Sequence, residues 1–262
     1  MTSINSIKKL SLSIFFLFMI SFVFSKEIVI FFVCSGFDNY SQKLETFQKY
    51  KKELIEFFPL SYYSKYLDFS LIDDNKLENL VKITKYNHFD IKKDEFIKEK
   101  SQFDNKLYLI IFIIKSQISK GQGGTIEGVN VILASSNSKS GVISHEFCHS
   151  IFKLGDEYSG SIPFPPSQKE ISQYKNLSLQ KYNSDWEYVK KETKNDLIGY
   201  YPGGLERSEG VYHSYPNCLM KNLNKRLCPV CVYYAVNILN QITLENLNLL
   251  DILKDNQTTI DF

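Results

Sequence analysis

Histidine and methionine are scarce in this 262-residue chain, tryptophan occurs once, and neither sign of charge prevails. The four histidines are His88, His145, His149 and His213, so any histidine-built metal site must draw on these. Of the three methionines, Met1 initiates the chain and Met19 lies in its first apolar run, which leaves Met220 alone in the body. Long apolar runs are missing too. The stretch from Leu10 to Phe24, behind Lys8 and Lys9, is short for a membrane span, and no stop-transfer pattern follows it. It reads as a signal peptide, residues 1–25, cleaved before Lys26 after Val23-Phe24-Ser25. The expected product is secreted, with no stable membrane insertion. Removing Lys8 and Lys9 takes the 31 basic residues to 29, equal to the 29 acidic ones. A chain without net charge is not expected to take nucleic acid or an anionic membrane as its main partner. There is no internal repeat, and residues 26–262 suit one domain around one core.

The cysteines do not make an even set. In an oxidising compartment five of them imply up to two bridges and one thiol left over. Cys218, Cys228 and Cys231 cluster, and a crosslink from Cys218 to Cys228 or Cys231 is expected; Cys34 with Cys148 is a further conceivable pair. A thioredoxin-like redox use of Cys228-Pro229-Val230-Cys231 would place the motif early in a βαβ unit, whereas here it falls near the C-terminus. A cysteine-ligated structural zinc has only three candidate thiols. Three sequons, Asn39-Tyr40-Ser41, Asn176-Leu177-Ser178 and Asn256-Gln257-Thr258, fit an extracellular glycoprotein.

Apolar patterning places the elements. Residues 27–33 read as a buried strand, 41–57 as a helix closed by Pro59, and 66–72 as a second strand. Residues 106–115 give the strongest strand signal, Gly121 to Gly124 read as a loop, and Val129 to Ala134 as a short strand. A helix follows over 140–154 with Gly155 as its C-cap. Residues 159–217 lack strong periodicity and are expected to be irregular, and a final helix spans about 229–240. The class is α/β, with a mixed sheet and helices in the N-terminal part and a cleft against an irregular C-terminal part.

The richest stretch is His145-Glu146-Phe147-Cys148-His149. Residues i and i+4 of a helix share a face, so both imidazoles can reach one Zn²⁺, and Glu146 sits beside the metal's open position as general base and acid. Continuing to Tyr158, the segment resembles the active-site helix of the IgA-peptidase family of zinc metallopeptidases, which runs His-Glu-x-x-His-Ser and closes in Asp-Glu-Tyr. The Gly121 to Thr125 segment before it, Trp186 and Tyr212 after it, Asn217-Cys218-Leu219-Met220, and Cys228-Pro229-Val230-Cys231 keep the family's order. Cys148 stands where glycine is usual, and Cys34 where the first strand commonly ends in Asp-Gly. The resemblance implies a metzincin-like zincin with a methionine turn, in which Met220 packs beneath the zinc.

The third ligand is assigned to Asp156, with Glu157 and His213 as alternatives. In a continuous helix Asp156 would lie about 10 Å beyond His149, so a reversal at Leu154-Gly155 is required. Oxyanion donors are sought among Tyr158, Tyr212 and His213, and the strand at 129–134 could pair with an extended peptide. The expected activity is zinc endopeptidase action on a peptide or protein substrate. The alternatives are a catalytically inactive secreted zinc-binding protein of the same fold and, less favoured, a thiol oxidoreductase.

Overall fold

The computed structural model describes residues 28–84, 88–99 and 107–258; the expected signal peptide lies outside them. Strand β1 (Ile28–Ser35) leads into helix α1 (Tyr40–Glu56), capped by the Asn39 side chain, which accepts from Gln42 N–H at 3.0 Å. Then come β2 (Leu67–Ile72), a hairpin of β3 (Val81–Ile83) and β4 (Phe89–Ile91), β5 (Leu107–Ile114), β6 (Gly121–Ile126) and β7 (Val129–Ser135). The main sheet has the order β2-β1-β5-β7-β6. Its first four strands run parallel, and β6 pairs antiparallel on β7 at the edge. The molecule is thus a mixed α/β structure.

The uninterrupted apolar runs of β1 and β5 follow from burial on both faces, as parallel strands require. On one face Ile30, Phe32, Leu109 and Ile111 join a large core with Phe47 and Leu54 of α1. On the other, Val33, Ile110 and Phe112 pack with Leu80, Val81 and Phe96 around the hairpin. Lys43 of α1 is buried and reaches Asp73 at 2.7 Å and also Glu78, pinning the helix to the chain beyond β2.

Helix α2 (Val142–Phe147) carries the first three residues of the histidine motif, and a π-helical turn that continues it carries Cys148 and His149. Beyond it lie helix α3 (Ser184–Thr193), a small sheet of β8 (Leu177–Ser178), β9 (Tyr201–Gly204) and β10 (Arg207–His213), helix α4 (Pro229–Thr243) and helix α5 (Leu249–Thr258). Residues 159–217 are therefore more ordered than their pattern suggests. Their strands are short, and β9 contains Gly203 and Gly204 at positive φ, so no period of two survives to be read. Among the described residues, no helix is long and apolar enough to cross a membrane.

Two further expectations are corrected. Gly121 to Gly124 form an edge strand rather than a loop, because the glycines let β6 lie flat against the motif helix. A Cβ on Gly121 would fall 2.6 Å from Glu146 Oε1, and one on Gly123 would fall 2.4 Å from the Glu146 carbonyl. The motif helix also does not end at Gly155. Its α-helical hydrogen bonding gives way to a π-helical turn over Cys148–Phe152, closed by Lys153 in the left-handed region at φ 54°. Gly155 serves closeness instead: a Cβ there would lie 2.6 Å from Leu177 Cδ1 and 2.9 Å from the Tyr174 ring.

Candidate metal centre

Helix α2 starts at Gly141, whose φ of 87° admits the turn while the Leu223 carbonyl leaves no room for a Cβ. Ser144 donates its N–H and its hydroxyl to Glu53 Oε1, both at 3.1 Å, which fixes the helix to α1. Phe147 and Cys148 point into the core with no exposure. One turn on, Ser150 Oγ donates to the Val131 carbonyl at 3.0 Å and accepts from Gly124 N–H at 2.9 Å, so the helix is stitched to both β7 and β6. The π turn and Lys153 then reverse the chain, and Leu154 N–H closes on the Cys148 carbonyl at 3.1 Å.

That reversal returns Asp156 to the histidines. Its Oδ1 lies 3.0 Å from His145 Nε2 and 3.2 Å from His149 Nε2, and the two Nε2 atoms are 3.0 Å apart. The imidazole tautomers follow from their far sides. His145 Nδ1 faces the Leu219 carbonyl at 3.1 Å and His149 Nδ1 the Leu154 carbonyl at 2.6 Å; a carbonyl only accepts, so each Nδ1 carries the hydrogen. With both imidazoles neutral, two Nε2 lone pairs and one carboxylate oxygen then converge with no donor among them, and Asp156 Oδ1 is a buried acceptor without a hydrogen-bond partner. Three converging acceptors call for a cation. Zinc bonds of about 2.0–2.1 Å in a tetrahedron place neighbouring ligand atoms roughly 3.3 Å apart, close to these separations. His145, His149 and Asp156 therefore form a group that could hold a metal ion.

Glu146 is 7% exposed and lines a cavity of about 320 Å³ together with His145, Gly121, Tyr158 and Leu219. Burial raises the pKa of its carboxyl, which the nearby imidazoles and the Gly123 N–H hydrogen bond only partly offset. A carboxylate with a raised pKa beside a metal position is suited to taking up a proton. Tyr158 Oη donates to Asp156 Oδ2 at 3.1 Å and faces the same cavity. Of the three oxyanion candidates it is the one placed there. Tyr212 lies in β10 beneath Lys181 Nζ, 5.5 Å from its ring centre. His213 is fully buried, donates from Nδ1 to the Tyr215 carbonyl at 2.8 Å, and has its pKa pushed down to about 4 by burial and Lys221.

The alternatives for the third ligand are thereby separated in space. Glu157 turns away from the histidines into a second group with Cys218, Cys228 and Cys231, and His213 stands beside that group, its Nδ1 3.7 Å from Glu157 Oε2. The expected bridge from Cys218 to Cys228 or Cys231 is not formed, because the three sulfurs surround the Glu157 carboxylate; all five cysteines are free. Cys34 is buried under α1, where desolvation pushes its thiol up to about 12, and Cys148 is fully buried as well. Burial of Cys228 and Cys231 removes the exposed thiol that a thiol oxidoreductase needs. Met220 is fully buried in the main core, and its carbonyl accepts from Glu157 N–H at 2.8 Å, so the loop beneath His145 is tied to the returning acidic segment.

The peptide-pairing expectation shifts by one strand. Strand β7 is internal, between β5 and β6, whereas β6 pairs with β7 alone among the described residues and lines the cavity at Gly121. Three lysines that motif reading passes over, Lys120, Lys139 and Lys221, also line it; as isolated charges in polar segments they give no spacing signal. Asn176, one of the sequon residues, is fully buried and bonds Gly155 N–H, the Gly155 carbonyl and Glu157 Oε1. A glycan on that side chain is incompatible with the folded chain. Comparison with models of known protein families finds none that matches, and comparison with curated proteins finds no relative.

Proposed function

We propose that this chain is a secreted zinc endopeptidase with a metzincin-like arrangement, as its resemblance to the IgA-peptidase family implies. The observation that carries the reading is the convergence of the lone pairs of His145, His149 and Asp156 next to a cavity that His145 and Glu146 line. When bound, zinc supplies Lewis acidity toward the scissile carbonyl and lowers the pKa of a water molecule. Asp156 supplies the anionic ligand, and the Leu219 and Leu154 carbonyls hold the two imidazoles in the ligating tautomer. Glu146, oriented by the Gly123 N–H, takes a proton from the attacking water and passes it to the leaving amine. Tyr158 Oη becomes the donor for the oxygen that gains negative charge by turning its one hydrogen away from Asp156 Oδ2. Substrate enters extended along the outer edge of β6, with its main chain hydrogen-bonded to the groups of that strand not engaged by Glu146 or Ser150. Lys120, Lys139 and Lys221 favour acidic side chains near the scissile bond.

The test combines metal analysis of the secreted protein with cleavage of a mixed peptide library by the unaltered chain and by Glu146→Gln. The substitution keeps volume and hydrogen bonding but removes the base. The expected result is retained metal with kcat lowered by about 10²–10⁴. A variant that digests peptides at the unaltered rate would show that Glu146 is not the base.

A further inference from the structure

Cys218, Cys228, Cys231 and Glu157 each offer one ligand atom, and these atoms all lie within 4.8 Å of one another. The four residues are between 0 and 3% exposed, so water does not solvate them. Cys218 Sγ and Cys231 Sγ are 3.7 Å apart, far beyond a disulfide bond of about 2.05 Å. Zinc–sulfur bonds of about 2.3 Å in a tetrahedron place two sulfurs roughly 3.8 Å apart. Cys231 Sγ to Glu157 Oε1 is 3.4 Å, close to the roughly 3.6 Å edge expected between a zinc-bound sulfur and a zinc-bound carboxylate oxygen.

The surroundings are arranged for thiolates. Cys228 N–H points at Cys218 Sγ at 3.3 Å and Cys231 N–H at Cys228 Sγ at 3.5 Å, while Cys228 caps the N-terminus of the 15-residue helix α4, where negative charge is favoured. The carboxylate is held by Asn176 Nδ2, which donates to Glu157 Oε1 at 2.9 Å. Glu157 Oε2 has no hydrogen-bond partner although it is buried, and the nearby His213 Nδ1 gives its hydrogen to the Tyr215 carbonyl. A buried carboxylate oxygen without a donor or a cation is costly. A divalent ion between the carboxylate and the three sulfurs would remove that cost.

We infer that Cys218, Cys228, Cys231 and Glu157 form a second, closed metal site of structural type, taking zinc through three thiolates and one carboxylate. Four protein ligands leave no open position, so this site holds structure and does no hydrolysis. It joins three segments far apart in sequence: the acidic reversal after the motif helix, the loop carrying Met220, and the start of α4. Because Glu157 follows Asp156, the ion also fixes the peptide that presents the third ligand to the histidines. The inference stands independently of peptidase activity.

The test is zinc K-edge X-ray absorption on the full secreted chain in which His145 and His149 are both alanine, which leaves the second group as the one intact site among the described residues. One zinc per chain with three sulfur neighbours at about 2.3 Å is expected. No zinc, or zinc with only nitrogen and oxygen neighbours, overturns the inference, as does a disulfide among the three cysteines in peptides mapped without reduction. If the double variant fails to fold, the unaltered chain is measured instead. It should hold two zinc ions and show sulfur around half of them, and a sulfur-free spectrum overturns the inference. Glu157→Gln keeps the volume but weakens the fourth bond, so zinc retention against a chelator should fall at least tenfold with the sulfur shell preserved. Unchanged retention excludes Glu157 as the fourth ligand.

Discussion

Replacing Asp156 with alanine removes one of three acceptors from the histidine group, while replacing Glu157 with alanine leaves those three in place. Asp156→Ala should weaken metal binding at the histidine site by more than about 100-fold, the upper end for a residue that merely orients a ligand. Glu157→Ala should affect that site less and instead weaken zinc binding at the cysteine group. Chelator competition, with cobalt spectra to separate nitrogen–oxygen from sulfur ligation, reads both; an Asp156→Ala chain that keeps its affinity within tenfold removes Asp156 as a ligand. His145 and His149 were legible because helical spacing sets their shared face, and Glu146 because it directly follows the first of them. Asp156 was legible only as one of three alternatives, since a π turn and a left-handed lysine, neither with a sequence signature, bring it back. Glu157 was not legible as a partner of the cysteines, because a thiol that contacts it, Cys231, lies 74 residues away in the chain.

At the scale of elements, the contact between β6 and the motif helix sets where the base stands. Gly123→Ala would drive a methyl to 2.4 Å from the Glu146 carbonyl and 2.9 Å from Ser150 Oγ, and backbone cannot yield cheaply. Overpacking of this kind costs about 1–3 kcal/mol, and the displaced helix should lose catalytic rate as well. Gly124→Ala meets nothing within 4 Å and serves as the control. Urea denaturation of both variants measures the difference, and equal midpoints would remove the close contact as an explanation for the glycines. The same contact explains why this strand escaped sequence reading. Glycine signals turns through its freedom of φ, yet here it is selected for the absence of a side chain. The strands β1, β5 and β7 were legible because burial on both faces demands unbroken apolar runs. The sheet of β8, β9 and β10 was not, since strands of two to seven residues broken by glycines carry no period.

For the whole molecule, Lys43 is the buried cation that joins α1 to the segment after β2. Burial lowers its pKa, but the hydrogen bonds it donates to Asp73 and Glu78 outweigh this and leave it raised; the Lys43 bond in turn lowers that of Asp73. A raised lysine stabilises below the unfolded value near 10.5 and loses that contribution as pH climbs through its folded value. A lowered aspartate stabilises above 3.8 and loses it as pH falls through its folded value. Lys43→Met should therefore destabilise the chain near neutral pH, by leaving Asp73 and Glu78 without their cation, with the gap to the unaltered chain narrowing as pH falls through the lowered folded value of Asp73. Denaturant midpoints across pH check this; a gap that does not narrow in acid would mean that the methionine acts through packing. The buried Asn176 has a different consequence for a secreted chain. On the secretion proposed above, its sequon would meet the oligosaccharide transferase while the polypeptide is still emerging, so sugar transfer would compete with folding. A chain modified at Asn176 could no longer seat that amide against Gly155 and Glu157 and would be retained by quality control. Glycopeptide mapping should find sugar at Asn39 in exported protein and at Asn176 only in retained material, so one asparagine records which process won.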